Sequence, residues 1–368
     1  MTQIMIWKSI MRSIGANRSV IKAEALLHGP DAVKRALDRA EELERQGDLN
    51  GALQWRRRGI ALKEYFELDE KERKRKEAIK PAQIRLYAAF TGLSVNECVE
   101  ISNGLWLDHT FAHVMAPFIL AFSPAEDGKP HPGPWKSASG GIAVDVYAQA
   151  TLEEGVNIGA FDRLNSIWFL ATLVRLKISD AIRVPFISDT SFSEVADGAE
   201  PVFWPVELNE ASKVLPFHTA VDPMADVLWV SRHIEKGAAL MTDEGFSLAI
   251  QSNDRAYHAE SLGTAMVLFW SSVEALFRPG GRDITKTLSI MVATYLSDNA
   301  RVRDRTYQEI KALYKVRGDM IHAARMPDRI SVERTAKIAR QALIRSIEEG
   351  QLPEGQRLLT AWSNRKAY

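Results

Sequence analysis

Glu274, Arg317 and His322 are the residues of this chain whose types and surroundings best suit chemistry. Glu274 stands inside SLGTAMVLFWSSVEALF, a stretch apolar almost all round, and a buried carboxylate there must meet a cation or a donor. Downstream, in YQEIKALYKVRGDMIHAARMPD, Ile310, Leu313, Tyr314 and Arg317 recur at helical spacing, and Ile321 and His322 follow. Arg317 therefore extends an apolar face that points inward or into an interface. A histidine exchanges protons near neutral pH, and a guanidinium grips phosphoryl oxygens through paired N–H groups. A second grouping is His109 and His113, four apart beside Asp108 in LDHTFAHVMAPF. On a helix they would share one face. Two imidazoles without a third ligand do not make a metal site, so packed, hydrogen-bonded histidines are the default reading. His28, His131, His218, His233 and His258 have no ligand-like company, and no metal or other cofactor is expected.

Other chemistries are excluded by what is missing. No G-x-x-x-x-G-K-[ST], strand-borne G-x-G-x-x-G, G-x-S-x-G or H-E-x-x-H occurs, so kinase, dehydrogenase, serine-hydrolase and zincin readings fall away. The single Cys98 excludes an internal disulfide framework and a cysteine-based zinc site, and a reducing cytoplasm is the expected home. Lys8 and Arg12 interrupt the first residues where a signal peptide would be apolar. Ile4, Trp7, Met11 and Ile14 share a helical face there, read as a docking face for the protein's own body or a partner subunit, with contact to a membrane surface as the rival reading. The longest apolar runs, 113–122, 166–174 and 263–277, fall short of the roughly 18 residues a spanning helix needs, so no integral membrane association is expected.

The elements that must position these residues are legible in outline. With 368 residues, 46% hydrophobic and 26% charged, the chain suits two or three domains. The 47 basic and 47 acidic residues cancel overall but not locally: residues 1–80 carry a net +5, 81–273 a net −12 and 274–368 a net +7. Basic ends can face a polyanion or pack against the acidic middle. DAVKRALDRAEELERQ and GALQWRRRGIALKEYFEL form a helical hairpin of the tetratricopeptide kind, in one copy only. Arg56, Arg57, Arg58 and the run KERKRKEAIK read mainly as a solvated face, with RNA contact as the rival reading. IRLYAAFTGLSVNECVEISNGL looks helical, GIAVDVYAQATL, AIRVPFIS and PVFWPVEL look like strands, and FDRLNSIWFLATLVRLKI between them a buried helix. From 222 onward helices are expected at 222–237, 242–253, 257–277, 283–297, 303–316, 321–324 or a little beyond, and 331–349. The expected class is α+β: a basic helical region at 1–80, an acidic mixed body at 81–221 and an all-α bundle at 222–368.

The layout of a long helix ending in WSSVEALF, a helix pair, then ALYKVRGDMIH resembles the Apea-like branch of HEPN domains over roughly residues 230–350. That resemblance implies an all-α bundle acting as a two-fold dimer. It also implies a metal-independent ribonuclease with an R-x4-6-H motif, of a kind common in defence and toxin systems. The motif falls on Arg317 and His322, the one Arg–His pair of that spacing in the chain. Gly318 and Asp319 follow the arginine, where active members often carry a polar residue first.

Metal-free cleavage of RNA needs a base for the 2′-OH, an acid for the 5′-oxygen and a cation for the phosphorane. In an unbroken helix, five residues separate Arg317 and His322 by about 140° and a rise of roughly 7.5 Å, too divergent for one phosphate. Gly318 is a place for the helix to re-aim, and a homodimer would bring two copies of each residue together. Tyr314 and Asp319 are the nearest alternative proton-transfer groups, and Glu274 the orienting one. RNA is the expected partner, with a regulatory protein in addition. The competing reading is a non-catalytic helical module for RNA or protein binding, in which Arg317 pairs with Glu274 or Asp319 and His322 caps its helix. Work beside a nucleotidyltransferase is a third.

Overall fold

The computed structural model describes residues 21, 25, 31–78, 84–124, 134–208, 215, 220 and 222–364, with only the backbone for residues 64, 68–78 and 117. The face of Ile4, Trp7, Met11 and Ile14 and the residues His28, His131 and His218 lie outside them, as do the side chains of the KERKRKEAIK run. The chain is mixed α+β, with N-terminal helices, an antiparallel sheet and a helical C-terminal region. Its contacts divide it into two compact units that interleave in sequence: residues 1–80 with 114–143, and residues 81–113 with 144–368.

In the first unit, α1 (Asp31–Arg45) and α2 (Leu49–Ala78) form the expected hairpin. Ala32, Ala36 and Ala40 of α1 are buried, as are Ala52, Ala61 and Leu62 of α2. Small side chains let the two helices approach closely, and Gly47, at φ +82°, makes the turn that no β-carbon would tolerate cheaply. The same unit contains the outer part of a long β-ribbon.

The second unit is built on a six-stranded sheet of order β2-β3-β4-β1-β5-β6. The strands are β1 (Leu86–Phe90), β2 (Val99–Ser102), β3 (Leu105–Ala121), β4 (Trp135–Leu152), β5 (Phe186–Ser188) and β6 (Phe203–Pro205). β1 pairs antiparallel with both β4 and β5, and all five of its residues are buried. This corrects the helical reading of 84–105. A five-residue apolar run has no measurable period, and the central place of β1 between two neighbours decides it. It also removes the helix expected under His109 and His113, which lie on β3.

α3 (Arg163–Lys177), the short α4 (Phe192–Ala196) and seven further helices complete the unit: α5 (Pro223–Leu240), α6 (Glu244–Ala256), α7 (Leu262–Phe277), α8 (Ile284–Leu296), α9 (Ala300–Ala323), α10 (Arg329–Glu349) and α11 (Gly355–Asn364). Side-chain caps begin most of them: Asp162, Asp222, Asp243, Ser261, Asp283, Asn299 and Asp328 each accept a backbone N–H one turn on. One apolar core runs from the sheet through the helices, with Phe90, Phe169, Phe246, Phe269 and Trp270 fully buried. The separate helices expected at 303–316 and 321–324 are one continuous α9. Gly318 neither breaks nor re-aims it, and α11 was not foreseen.

Candidate functional site

Glu274, Tyr314 and Arg317 meet where α7 packs against α9. The Tyr314 hydroxyl donates to Glu274 Oε1 at 2.8 Å, and Arg317 Nη2 lies 3.5 Å from the same oxygen. The guanidinium also covers the Tyr314 ring, 5.4 Å from its centroid, while Trp270 meets that ring edge-on at 4.9 Å. Arg317 and Glu274 are both mostly buried, with 23% and 28% of their side-chain surfaces exposed. Desolvation, reinforced by the hydrogen bond to Glu274, pushes Tyr314 up to about 12. Tyr314 is thus a fixed donor to the carboxylate at neutral pH. Arg317 Nε is buried and has no hydrogen-bond partner among the described residues.

His322 faces elsewhere. At 100° per residue, Ile310, Leu313 and Arg317 lie on the inner side of α9, whereas Gln308, Lys311, Lys315, Gly318 and His322 form one stripe on the outer side. Ile310 and Leu313 are buried; Lys311, Lys315 and His322 are exposed. With α9 unbroken, the divergence of about 140° between Arg317 and His322 stands within one chain. Both residues nevertheless line a single open cavity of about 740 Å³, with Thr285 of α8 and Lys311, Lys315, Gly318 and Asp319 of α9. A β-carbon at Gly318 would meet nothing within 4 Å, so this glycine widens the cavity without being required by packing. α9 ends at Ala324, in the left-handed region at φ +52°, and the N–H groups of Ala324 and Arg325 close on the Asp319 carbonyl. Lys311 and Lys315 are the site residues that sequence reasoning missed. Their i, i+4 spacing on the same stripe as His322 was the available signal.

The remaining candidates separate. His109 and His113 are four positions apart on a strand, about 13 Å, and His113 Nδ1 pairs with Asp145 of β4 at 2.7 Å. Among the described residues no group of three or more metal-ligating side chains comes together. His233 stacks on Trp229 and bonds its backbone carbonyl at 2.8 Å. Gly280 and Gly281 lie in the turn between α7 and α8. Among the described residues, no helix is long and apolar enough to cross a membrane.

No family model, curated protein or solved structure matches this chain.

Proposed function

We propose that the protein is a metal-independent endoribonuclease of HEPN type, cleaving RNA by attack of the 2′-OH at a site built around Arg317 and His322. The observation that carries this reading is that the only R-x4-6-H pair of the chain lines one cavity together with Lys311 and Lys315. His322 is exposed and free to reach a substrate for proton transfer. Arg317, steadied by Glu274 and Tyr314, lines the cavity and lends its positive charge to phosphoryl oxygens. The two lysines supply the sequence-independent attraction to the phosphodiester backbone. One chain provides one histidine, so acid and base together call for a homodimer in which two outer stripes of α9 approach. Gly318, lacking a side chain on that stripe, allows such an approach. A role in defence and control by a partner protein belong to the same reading.

The divergence of Arg317 and His322 on unbroken α9, and the commitment of Arg317 to Glu274, favour the second reading: a helical RNA- or protein-binding module in which Arg317 is structural. Incubation of purified protein with RNA in excess chelator separates the two. Cleavage is expected, and His322→Ala is expected to lower its rate by ~10²–10⁴ while the melting temperature stays unchanged. Binding of RNA without any cleavage by the wild type would leave the module.

A further inference from the structure

Lys311 and Lys315 carry positive charge that no side chain among the described residues neutralises. Both are exposed, and neither forms an ion pair or hydrogen bond, not even with Asp319 one turn beyond Lys315. Exposed lysines are ordinarily just solvated, but these two line the cavity of about 740 Å³ that also holds the Arg–His pair. Its other charges are Arg317, already facing Glu274, and the single carboxylate of Asp319, so cations prevail. Thr285, in the first turn of α8, lines the same cavity, and a helix N-terminus adds partial positive charge.

The spacing of these groups selects what they bind. On unbroken α9, Lys315 stands roughly 10.5 Å and Lys311 roughly 16.5 Å along the axis from His322, and the three lie within about 40° of one another. A row that straight and long suits a phosphodiester backbone better than a small anion. Stacked nucleotides of one strand advance roughly 3.4 Å each, so the row spans about five of them. We infer that this cavity is a track for one RNA strand, in which His322 faces the link to be cut while Lys315 and Lys311 hold phosphates about three and about five nucleotides away. The inference rests on the RNA reading of the same cavity and adds its length requirement. The strand is single, because attack by a 2′-OH needs a link free to leave the stacked A-form geometry. It is held by its backbone and not by its bases. Tyr314 is the one aromatic residue of the lining, and its ring is already taken up by Arg317 and Trp270, so no stacking platform is left. The track is complete within one chain and binds whether or not two chains assemble.

Strands of 2′-O-methyl nucleotides, which no 2′-OH attack can cut, read the track apart from the reaction. With the full chain, fluorescence anisotropy should show affinity climbing from two nucleotides to five and levelling off by ten, equally for uridine and adenosine strands. Lys311→Gln/Lys315→Gln should bind the five-nucleotide strand roughly 25-fold more weakly at 0.1 M salt, with a log–log salt slope smaller by about 1.4. Both lysines are exposed, so the variant should keep its fold, as circular dichroism would verify. Affinity independent of length, equal affinity of the variant and the wild type, an unchanged salt slope or tighter binding of a duplex of equal length would overturn the inference. The two readings fail separately. Length-dependent binding without cleavage of RNA in chelator keeps the track and removes the nuclease, whereas cleavage without length-dependent binding removes the track and keeps the nuclease.

Discussion

Glu274 holds the candidate site together at the scale of single residues, accepting from Tyr314 and facing Arg317 with one oxygen. Its need for a partner was legible, because a carboxylate in an apolar helix cannot be buried alone. Which partner it meets depends on the packing of α7 against α9, which no local pattern encodes. Tyr314, at about 12, is poorly matched to proton transfer near neutrality, so it is no substitute for His322 in the proposed reaction. A double-mutant cycle of Glu274→Gln and Arg317→Ala should show a coupling of roughly 0.5–3 kcal/mol in unfolding free energy. Additive effects in denaturant titrations would mean the pair contributes nothing as a pair.

Among elements, α9 decides how the motif can be used. Helical spacing alone identified Ile310, Leu313 and Arg317 as its inner face, and the structure keeps them there. The glycine misled: Gly318 weakens a helix by about 1 kcal/mol but does not end one, and the flanking turns carry α9 through to Ala323. Gly318→Ala should therefore stabilise the protein by about 0.5–1 kcal/mol, since the added methyl meets nothing. If two α9 stripes approach each other there, the same substitution should lower RNA cleavage; raised stability with undiminished cleavage would separate Gly318 from the site. The end of α6 offers a pH test. Burial pushes His258 below the ordinary value of 6.5; Arg175 and Arg183 push the same way, and Asp254 and Glu207 oppose them. A depressed histidine takes its proton first in the unfolded chain, so its stabilising effect fades as pH falls below about 6.5. The melting-temperature difference between wild type and His258→Gln should then shrink from about pH 7.5 to pH 5.5. A constant difference would show that His258 does not titrate differently on folding.

For the whole molecule, the α+β class and most C-terminal helices were readable from period and capping residues, while the path of the sheet was not. β1 and β2 are short, and β1 gains its identity from Ala148–Leu152, some sixty residues away. The ribbon joins one compact unit in sequence to the other, so its outer half falls with the N-terminal helices, a division invisible to composition. Regional charge was visible, and the basic C-terminal segment now has a structural counterpart in the Lys311–Lys315 stripe beside His322. The proposed reaction is cleavage of RNA by attack of its own 2′-OH, without a metal ion. Its most direct test is the end group left on RNA cut by the wild-type protein in excess EDTA. 2′,3′-Cyclic phosphate and 5′-hydroxyl ends are expected at an undiminished rate; cleavage that stops with the chelator, or products ending in 3′-hydroxyl and 5′-phosphate, would rule the proposed reaction out.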